Sequence, residues 1–325
     1  MTIKKIVFAL FFLNITLINS SYSQKYNAID SIILKYPNFG STEKLAARIQ
    51  KDFASEHDKA RAIYSWITQN INYDWDAYLN PPAIKSFSYK DEAEKNKKIQ
   101  VLNQKTFQKT FRSNKAVCEG FSLLYAHLAE LAGLRCQVIT GDAKIKVNDI
   151  GRRNIVTNHA WNTVQIDGKW ILIDATWGQG YYDISREVIV KKFTPIYFDM
   201  DPKYFFTKHY PDSGIFADYK MNKTDYLNAP LFYNKAFEDD YEIVSPDSGI
   251  IKANEGDKII FKIKNIAKFE DVYYLDKKKK PVKVKNIKEE NGILEFEIIY
   301  SKKMGRYITF YIYRNAFVSF KVIPK

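Results

Sequence analysis

Between positions 118 and 132 the apolar residues fall at helical spacing: Phe121, Leu124, Tyr125, Leu128, Leu131 and Ala132. Steps of three and four residues are those of a helix with one buried face. Gly133 ends the run, where a glycine just past a helix terminus belongs. Cys118 lies in register with Phe121, Tyr125, Leu128 and Ala132, which turns its thiol toward the buried side of the first turn. Downstream the period changes to two. Ala160 to Ile166 and Lys169 to Asp174 read as strands, and Asp167-Gly168 between them is a two-residue hairpin signal. With those two residues as the turn, Trp161 is opposite Asp174 and His159 is opposite Thr176. His159 and Asp174 then share one face of the ribbon as diagonal neighbours, roughly 7–8 Å apart at the backbone.

The remaining pattern supplies the surroundings. Ser41 is placed to cap a helix over Thr42–Phe53, and Ser55 with Asp58 makes a capping-box pattern before Lys59–Ile71. In the second helix Ala60, Ile63, Tyr64, Ile67 and Ile71 form one apolar stripe, with Trp66 and Gln69 off it. Asn80-Pro81-Pro82 breaks the pattern. Tyr89 to Lys109 is polar and lysine-rich without an aliphatic face, which predicts an excursion or a loose helix beside a cleft. Strands are expected at Cys136–Thr140 and Ala143–Val147. Tyr181 to Asn234 reads as an aromatic loop broken at Asp201-Pro202 and Tyr210-Pro211, with His209 as a packing residue.

Glu238-Asp239-Asp240 marks a hinge. Beyond it Lys258–Lys264, Asp271–Leu275, Pro281–Lys285, Gly292–Tyr300, Arg306–Tyr313 and Phe317–Ile323 read as strands. Turns at Glu255-Gly256, Asn291-Gly292 and Arg314-Asn315 separate them. The pattern predicts an α+β domain over residues 24–237, in which a helix bearing a nucleophile packs on an antiparallel sheet. An all-β, immunoglobulin-like sandwich over 241–325 follows it.

Composition narrows the setting. The N-terminus places two lysines before an apolar run from Ile6 to Ile18 and then small residues, the form of a secretory signal peptide cleaved after Ser23. A secreted or periplasmic location follows. The run is short for a membrane span, so no stable span is expected in the mature form. The 325 residues carry a formal charge of +13, spread through strands and interleaved with acids. No arginine-rich helix or glycine–aromatic motif is present, which argues against nucleic acid. An anionic cell-envelope polymer suits the charge better. Cys118 and Cys136 are the two cysteines. An even count in an exported chain invites a disulfide, but a bridge would consume the thiol, so two free thiols are expected. Two cysteines and four dispersed histidines lack metal-ligand spacing, so neither metal nor cofactor is expected.

A thiol at a helix N-terminus is favoured as thiolate by the positive end of the helix dipole. The spacing permits Asp174 to orient His159, and His159 to deprotonate Cys118. Each residue type alone is more often structural; the three together, on geometrically compatible elements, carry the reading. Val117-Cys-Glu-Gly120 before an apolar helix, then Asn158-His-Ala-Trp-Asn162, then Trp170-x-Leu-Ile-Asp-Ala-Thr-Trp-Gly178, resembles the transglutaminase-like superfamily of papain-type cysteine enzymes. Within it the motifs are most similar to the kyphoscoliosis peptidase and cytokinesis-protein branch, from about Lys59 to Phe237. The resemblance implies Cys118 as nucleophile, His159 as general base and acid, and Asp174 as orienter. It also implies acyl transfer on a peptide or protein substrate through a thioester. Tyr73, Trp75, Glu119 and Trp161 are the candidates for oxyanion or substrate contacts. Crosslinking relatives carry Gly-Gln-Cys-Trp where this chain has Ala116-Val-Cys-Glu119, and no calcium-loop pattern is present. Hydrolysis of peptide or isopeptide bonds is therefore the first reading and amine transfer the second. An inactive peptide-binding module is the reading from a different class.

Overall fold

The computed structural model describes residues 28–81, 87–183, 188–213, 222–267 and 270–325. The expected leader, Met1 to Ser23, and Pro82 of the proline breaker lie outside them. The chain divides into two compact units, residues 1–138 with 160–199, and residues 139–159 with 200–325.

The first unit begins with α1 (residues 28–33), α2 (Thr42–Asp52) and α3 (Glu56–Asn70). Ser41 Oγ accepts from the N–H of Lys44 at 3.3 Å and Ser55 Oγ from that of Asp58 at 3.1 Å, so both predicted caps form. The second helix starts at Glu56, directly after its cap. It buries more than the predicted stripe: Arg61, Ala62, Ser65, Trp66 and Thr68 are also inside. Helices pack on it from several sides, which sequence periodicity cannot show. The buried Arg61 guanidinium is met by the Asp30 carboxylate at 2.7 and 3.1 Å.

After α4 (Trp75–Leu79), the stretch read as an excursion is a regular helix, α5 (Glu92–Ser113). Asp91 Oδ1 caps it by accepting from Glu94 N–H at 2.8 Å, and Lys98 pairs with Glu94 at 2.8 Å one turn apart. Good helix formers and such pairs stabilise a helix without a broad apolar face. Thr110 is its one buried side chain. The next helix, α6 (Cys118–Leu131), follows directly, and α5 packs on it. Short strands β1 (Asn72–Tyr73) and β2 (Lys115–Ala116) pair in parallel in front of α6.

The hairpin of β4 (His159–Ile166) and β5 (Lys169–Ile173) has the predicted register, from Asn162 opposite Ile173 to Ile166 opposite Lys169. Asp167 and Gly168 form its turn with φ of 48° and 80°. Asp174 then opens α7 (Ala175–Gly178), and β6 (Gly180–Asp183) pairs with β7 (Val188–Lys191) where a loop was expected.

In the second unit, the end of β3 (Arg135–Ala143) pairs antiparallel with β8 (His209–Pro211), with Ala143 opposite His209. The strand predicted at Ala143–Val147 does not form. Asp149 Oδ2 accepts from the N–H groups of Ile145 and Lys146 at 2.8 and 2.9 Å and folds the chain into a turn. The segment expected to be a loop carries α8 (Pro202–Lys208), α9 (Lys223–Asn228), β9 (Leu231–Phe232) and α10 (Asn234–Glu238).

Two sheets follow. One has the order β10 (Glu242–Ser245), β12 (Lys258–Lys264), β16 (Ile293–Ile299), β15 (Lys288–Glu290). The other runs β11 (Ile250–Lys252), β18 (Asn315–Ile323), β17 (Tyr307–Ile312), β13 (Val272–Leu275), β14 (Pro281–Lys283). Alternate residues of both sheets fill one core, where the Phe261 ring meets Phe310 at 4.7 Å and Phe320 at 5.3 Å. This is the packing of a β-sandwich. The last hairpin turns on Tyr313 and Arg314, with φ of 49° and 67°, one residue earlier than predicted.

Candidate active site

Cys118 is the first residue of the 14-residue α6, and no side chain caps that terminus. Phe121, Leu124, Tyr125 and Leu128 are fully buried, and Tyr125 OH donates to Ala60 O of α3 at 3.0 Å. The first turn is wedged close to α5. A Cβ on Gly120 would stand 2.5 Å from Thr110 Oγ1 and 2.6 Å from Ala116 Cβ. Asn162 of β4 donates to Ser122 O of α6 at 3.0 Å, joining the hairpin to the cysteine helix.

Tyr73 reaches this terminus through the parallel β1–β2 pair, which sets it abreast of Ala116. Its hydroxyl is held well above the ordinary tyrosine range, by burial first and then by the neighbouring charges of Cys118, Tyr78 and Asp174. One phenol thus stands near both the thiol and the carboxylate. Its backbone N–H is committed to Gln179 Oε1 at 3.0 Å. Gln179 is itself buried, and no motif pointed to it. Trp75 stacks on Tyr78 at 4.8 Å and lies 6.2 Å from Tyr73, whose ring is 6.5 Å from Phe121. These four rings form an aromatic shelf running from α4 to α6. Glu119 is exposed in the first turn of α6. Trp161 is 1% exposed, so its side chain is interior and not on a substrate-facing surface.

Asp174 is fully buried and caps α7: Oδ1 accepts from Trp177 N–H at 3.0 Å, while its own N–H donates to Tyr197 O at 2.9 Å. Both cysteines are free. Cys136 receives a bond from Asn162 Nδ2 at 3.6 Å, and burial pushes its thiol up to about 12.

His159 is the first residue of β4 and is buried. The residue before it is a clamp that sequence reasoning missed. Asn158 accepts from Ala143 N–H at 2.7 Å and donates to Ala143 O at 3.1 Å. Because Ala143 is also opposite His209, two histidines meet, with ring centroids 5.6 Å apart. The histidines are therefore not all dispersed, contrary to the sequence reading. Imidazole nitrogens of His159 and His209 lie within 4.8 Å.

Residues 43–175, a span that includes Cys118, His159 and Asp174, match the model of the transglutaminase-like superfamily. Kyphoscoliosis peptidase of Mus musculus is 27% identical over 173 residues, which is 52% of this chain and 23% of that protein. The chain thus spans about a quarter of that relative's length. A solved structure described as a TGase is 22% identical, covering 48% of this chain and 38% of its own, with a TM-score of 0.28. A putative cysteine protease from Cytophaga hutchinsonii is also 22% identical, covering 50% and 45%, with a TM-score of 0.26. Residues 43–175 are thus similar to a transglutaminase-like domain, the chain combines helices with antiparallel sheet, and its C-terminal strands are consistent with a β-sandwich.

Proposed function

We propose that the protein is an exported cysteine hydrolase that cleaves peptide or isopeptide bonds by acyl transfer through Cys118. The observation that carries this reading is the placement of Cys118 at the start of an uncapped 14-residue helix, beside a phenol that also senses Asp174. Within the reading, His159 takes the thiol proton and Asp174 orients the imidazole. The thiolate then attacks the amide carbonyl, and His159 returns the proton to the leaving amine. Water attacks the resulting thioester and regenerates the thiol. The hairpin register supports this arrangement, since it runs from Asn162 opposite Ile173 to Ile166 opposite Lys169 as the Asp167-Gly168 turn requires. The Cys118 backbone N–H at the helix start is suited to the oxyanion. The aromatic shelf of Tyr73, Trp75 and Tyr78 is suited to an apolar side chain of the substrate.

Amine transfer uses the same residues and differs only in what attacks the thioester, so the acceptor decides between the two. Export and a cell-envelope peptide as substrate complete the reading, with the immunoglobulin-like sandwich as its positioning domain. The test incubates the protein with candidate envelope peptides and follows released amine by mass spectrometry, with Cys118→Ala as control. Release that depends on Cys118 supports hydrolysis. Mass added as amine conjugates indicates transfer, and binding without turnover returns the protein to a peptide-binding module.

A further inference from the structure

The second unit gathers positive charge at one end of its sandwich. Lys277, Lys278, Lys279 and Lys280 make up most of the turn between β13 and β14, and Lys302 and Lys303 open a short 3-10 turn, Lys302–Met304, after β16. The two turns are separate in sequence, yet the N–H of Lys277 donates to Lys303 O at 2.8 Å and sets them side by side. All six lysines are exposed. Other lysines of the sandwich are paired, Lys258 with Glu297 at 3.2 Å, Lys262 with Glu295 at 2.8 Å and Lys283 with Asp271 at 2.7 Å. No ion pair forms to the six among the described residues. The acids at this end are committed to other groups. Asp276 Oδ1 accepts from the N–H groups of Lys278 and Lys280 at 2.9 and 2.8 Å, and Glu255 accepts from Ser301 Oγ and from the N–H of Lys302. Asp257 pairs with Lys325 at 2.9 Å. The turn also runs against its local preference, because Lys279 has a φ of 57°, where glycine or asparagine sits with less strain. A local rule broken on an exposed turn points to what the side chain offers, which here is charge.

We infer that this end of the sandwich docks an acidic polysaccharide, a polymer whose carboxylate groups recur along a flexible chain. Ammonium groups on two adjoining turns meet such anions as point charges, and release of the polymer's counterions drives the association. Neither turn carries an arginine, so recognition is by charge density and not by a bidentate fork on one carboxylate. Neither exposes an aromatic or aliphatic side chain. A nucleic acid therefore finds no stacking platform there, and a bilayer finds no apolar wedge. The inference rests on the export proposed above, which brings the chain to such polymers, and makes no use of the catalytic residues. It gives the positioning role of the sandwich a surface and a partner.

The experiment measures binding of the full chain to alginate by biolayer interferometry between about 50 and 200 mM salt. Wild type should bind at the lower salt and lose about tenfold or more in affinity across that range. Lys277→Gln, Lys278→Gln, Lys279→Gln and Lys280→Gln combined should weaken binding by about tenfold or more at the lower salt and flatten the salt dependence. Lys302→Gln with Lys303→Gln should give a smaller loss of the same kind. The control replaces Lys51, Lys97, Lys105 and Lys109 by glutamine, exposed lysines of the first unit, and lowers the net charge equally. It should stay within about twofold of wild type. An equal loss in the control overturns the inference, because net charge alone then accounts for binding. No binding to alginate at the lower salt overturns it too, as does tighter binding to phosphatidylglycerol vesicles or to single-stranded DNA. If the four-lysine variant does not fold by far-UV circular dichroism, the Lys302 and Lys303 variant decides. Peptide turnover by the neutralised variants should equal that of wild type. Alginate binding by a wild-type protein that turns over no peptide defeats the hydrolase reading and leaves the docking surface standing, so the two failures are distinguishable.

Discussion

Gly120 offers the sharpest test of how the nucleophile is held. Replacing it with alanine puts a methyl 2.5 Å from Thr110 Oγ1 and 2.6 Å from Ala116 Cβ. Carbon atoms settle at about 3.5–4 Å, so about 1 Å must open between α6 and its neighbours. Neither neighbour gives way easily. Thr110 is 2% exposed with its hydroxyl donating to Thr106 O at 2.9 Å, and Ala116 O is held by Asp74 N–H at 2.8 Å. Overpacking of this kind costs about 1–3 kcal/mol, and two blocked contacts place it at the upper end. Alanine returns about 1 kcal/mol through helix propensity, leaving a net loss of about 1–2 kcal/mol. Cys118 is two residues away, so opening the wedge also moves the sulfur. Misplacement of about 1 Å costs about 100-fold in a positioned reaction. Urea unfolding followed by tryptophan fluorescence reads the first effect, and single-turnover thioester formation with an activated ester reads the second. Adding Thr110→Ala should recover part of the stability, because it relieves one of the two contacts. An unchanged urea midpoint with unchanged thioester formation would show that the wedge does not position the thiol.

Three further outcomes are expected. Asp30→Ala leaves the Arg61 guanidinium buried without its carboxylate and should cost about 3–5 kcal/mol in urea unfolding; a loss below about 1 kcal/mol refutes it. Lys144 is fully inside and its amine is lowered to about 7, by burial first and then by Arg152. The unfolded chain therefore holds more protons from pH 7 up to the ordinary lysine value, and stability should rise with pH across that window by at most about 1.4 kcal/mol per unit. Lys144→Met should remove the rise, and a wild-type profile with the same slope as the variant contradicts the assignment. Iodoacetamide at pH 7 should label Cys118 and spare Cys136 until the protein is unfolded, because burial holds the second thiol protonated. Equal labelling of both in the folded protein, read by peptide mass mapping, counts against it.

Where a local signal specified an element, the sequence was enough. The Asp167-Gly168 turn fixed the hairpin register, since φ above zero at both positions suits few residue pairs. Ser41 and Ser55 fixed two helix starts for a similar reason: a cap is a bond within three residues. Misreadings arose where distant contacts decided. The α5 segment needed no aliphatic face because it meets α6 through Thr110 beside Gly120 and through the Phe107 ring stacked on His127 at 3.8 Å. The predicted Ala143–Val147 strand gave way to the Asp149 turn, whose two backbone bonds compete directly with strand pairing.

The candidate site divides along the same line. The element ends that carry Cys118, His159 and Asp174 were legible because local signals set the helix, the hairpin and its turn. The groups that hold those ends were not. Gln179 takes the Tyr73 N–H across a separation of 106 residues, and Asn162 reaches Ser122 across 40. Both asparagines of the motif around His159 were visible, but most of their partners are backbone atoms of other elements, which carry no residue signature. His209 was hidden by the same rule, since its partner Phe205 contributes a carbonyl as well as a ring. A carboxamide or imidazole beside a reactive group is therefore better tested by the backbone it can reach than by the side chains near it in sequence. On that ground Asn158, which clamps Ala143 by both N–H and C=O, is expected to be less replaceable by aspartate than its exposed position suggests, because a carboxylate loses the donor.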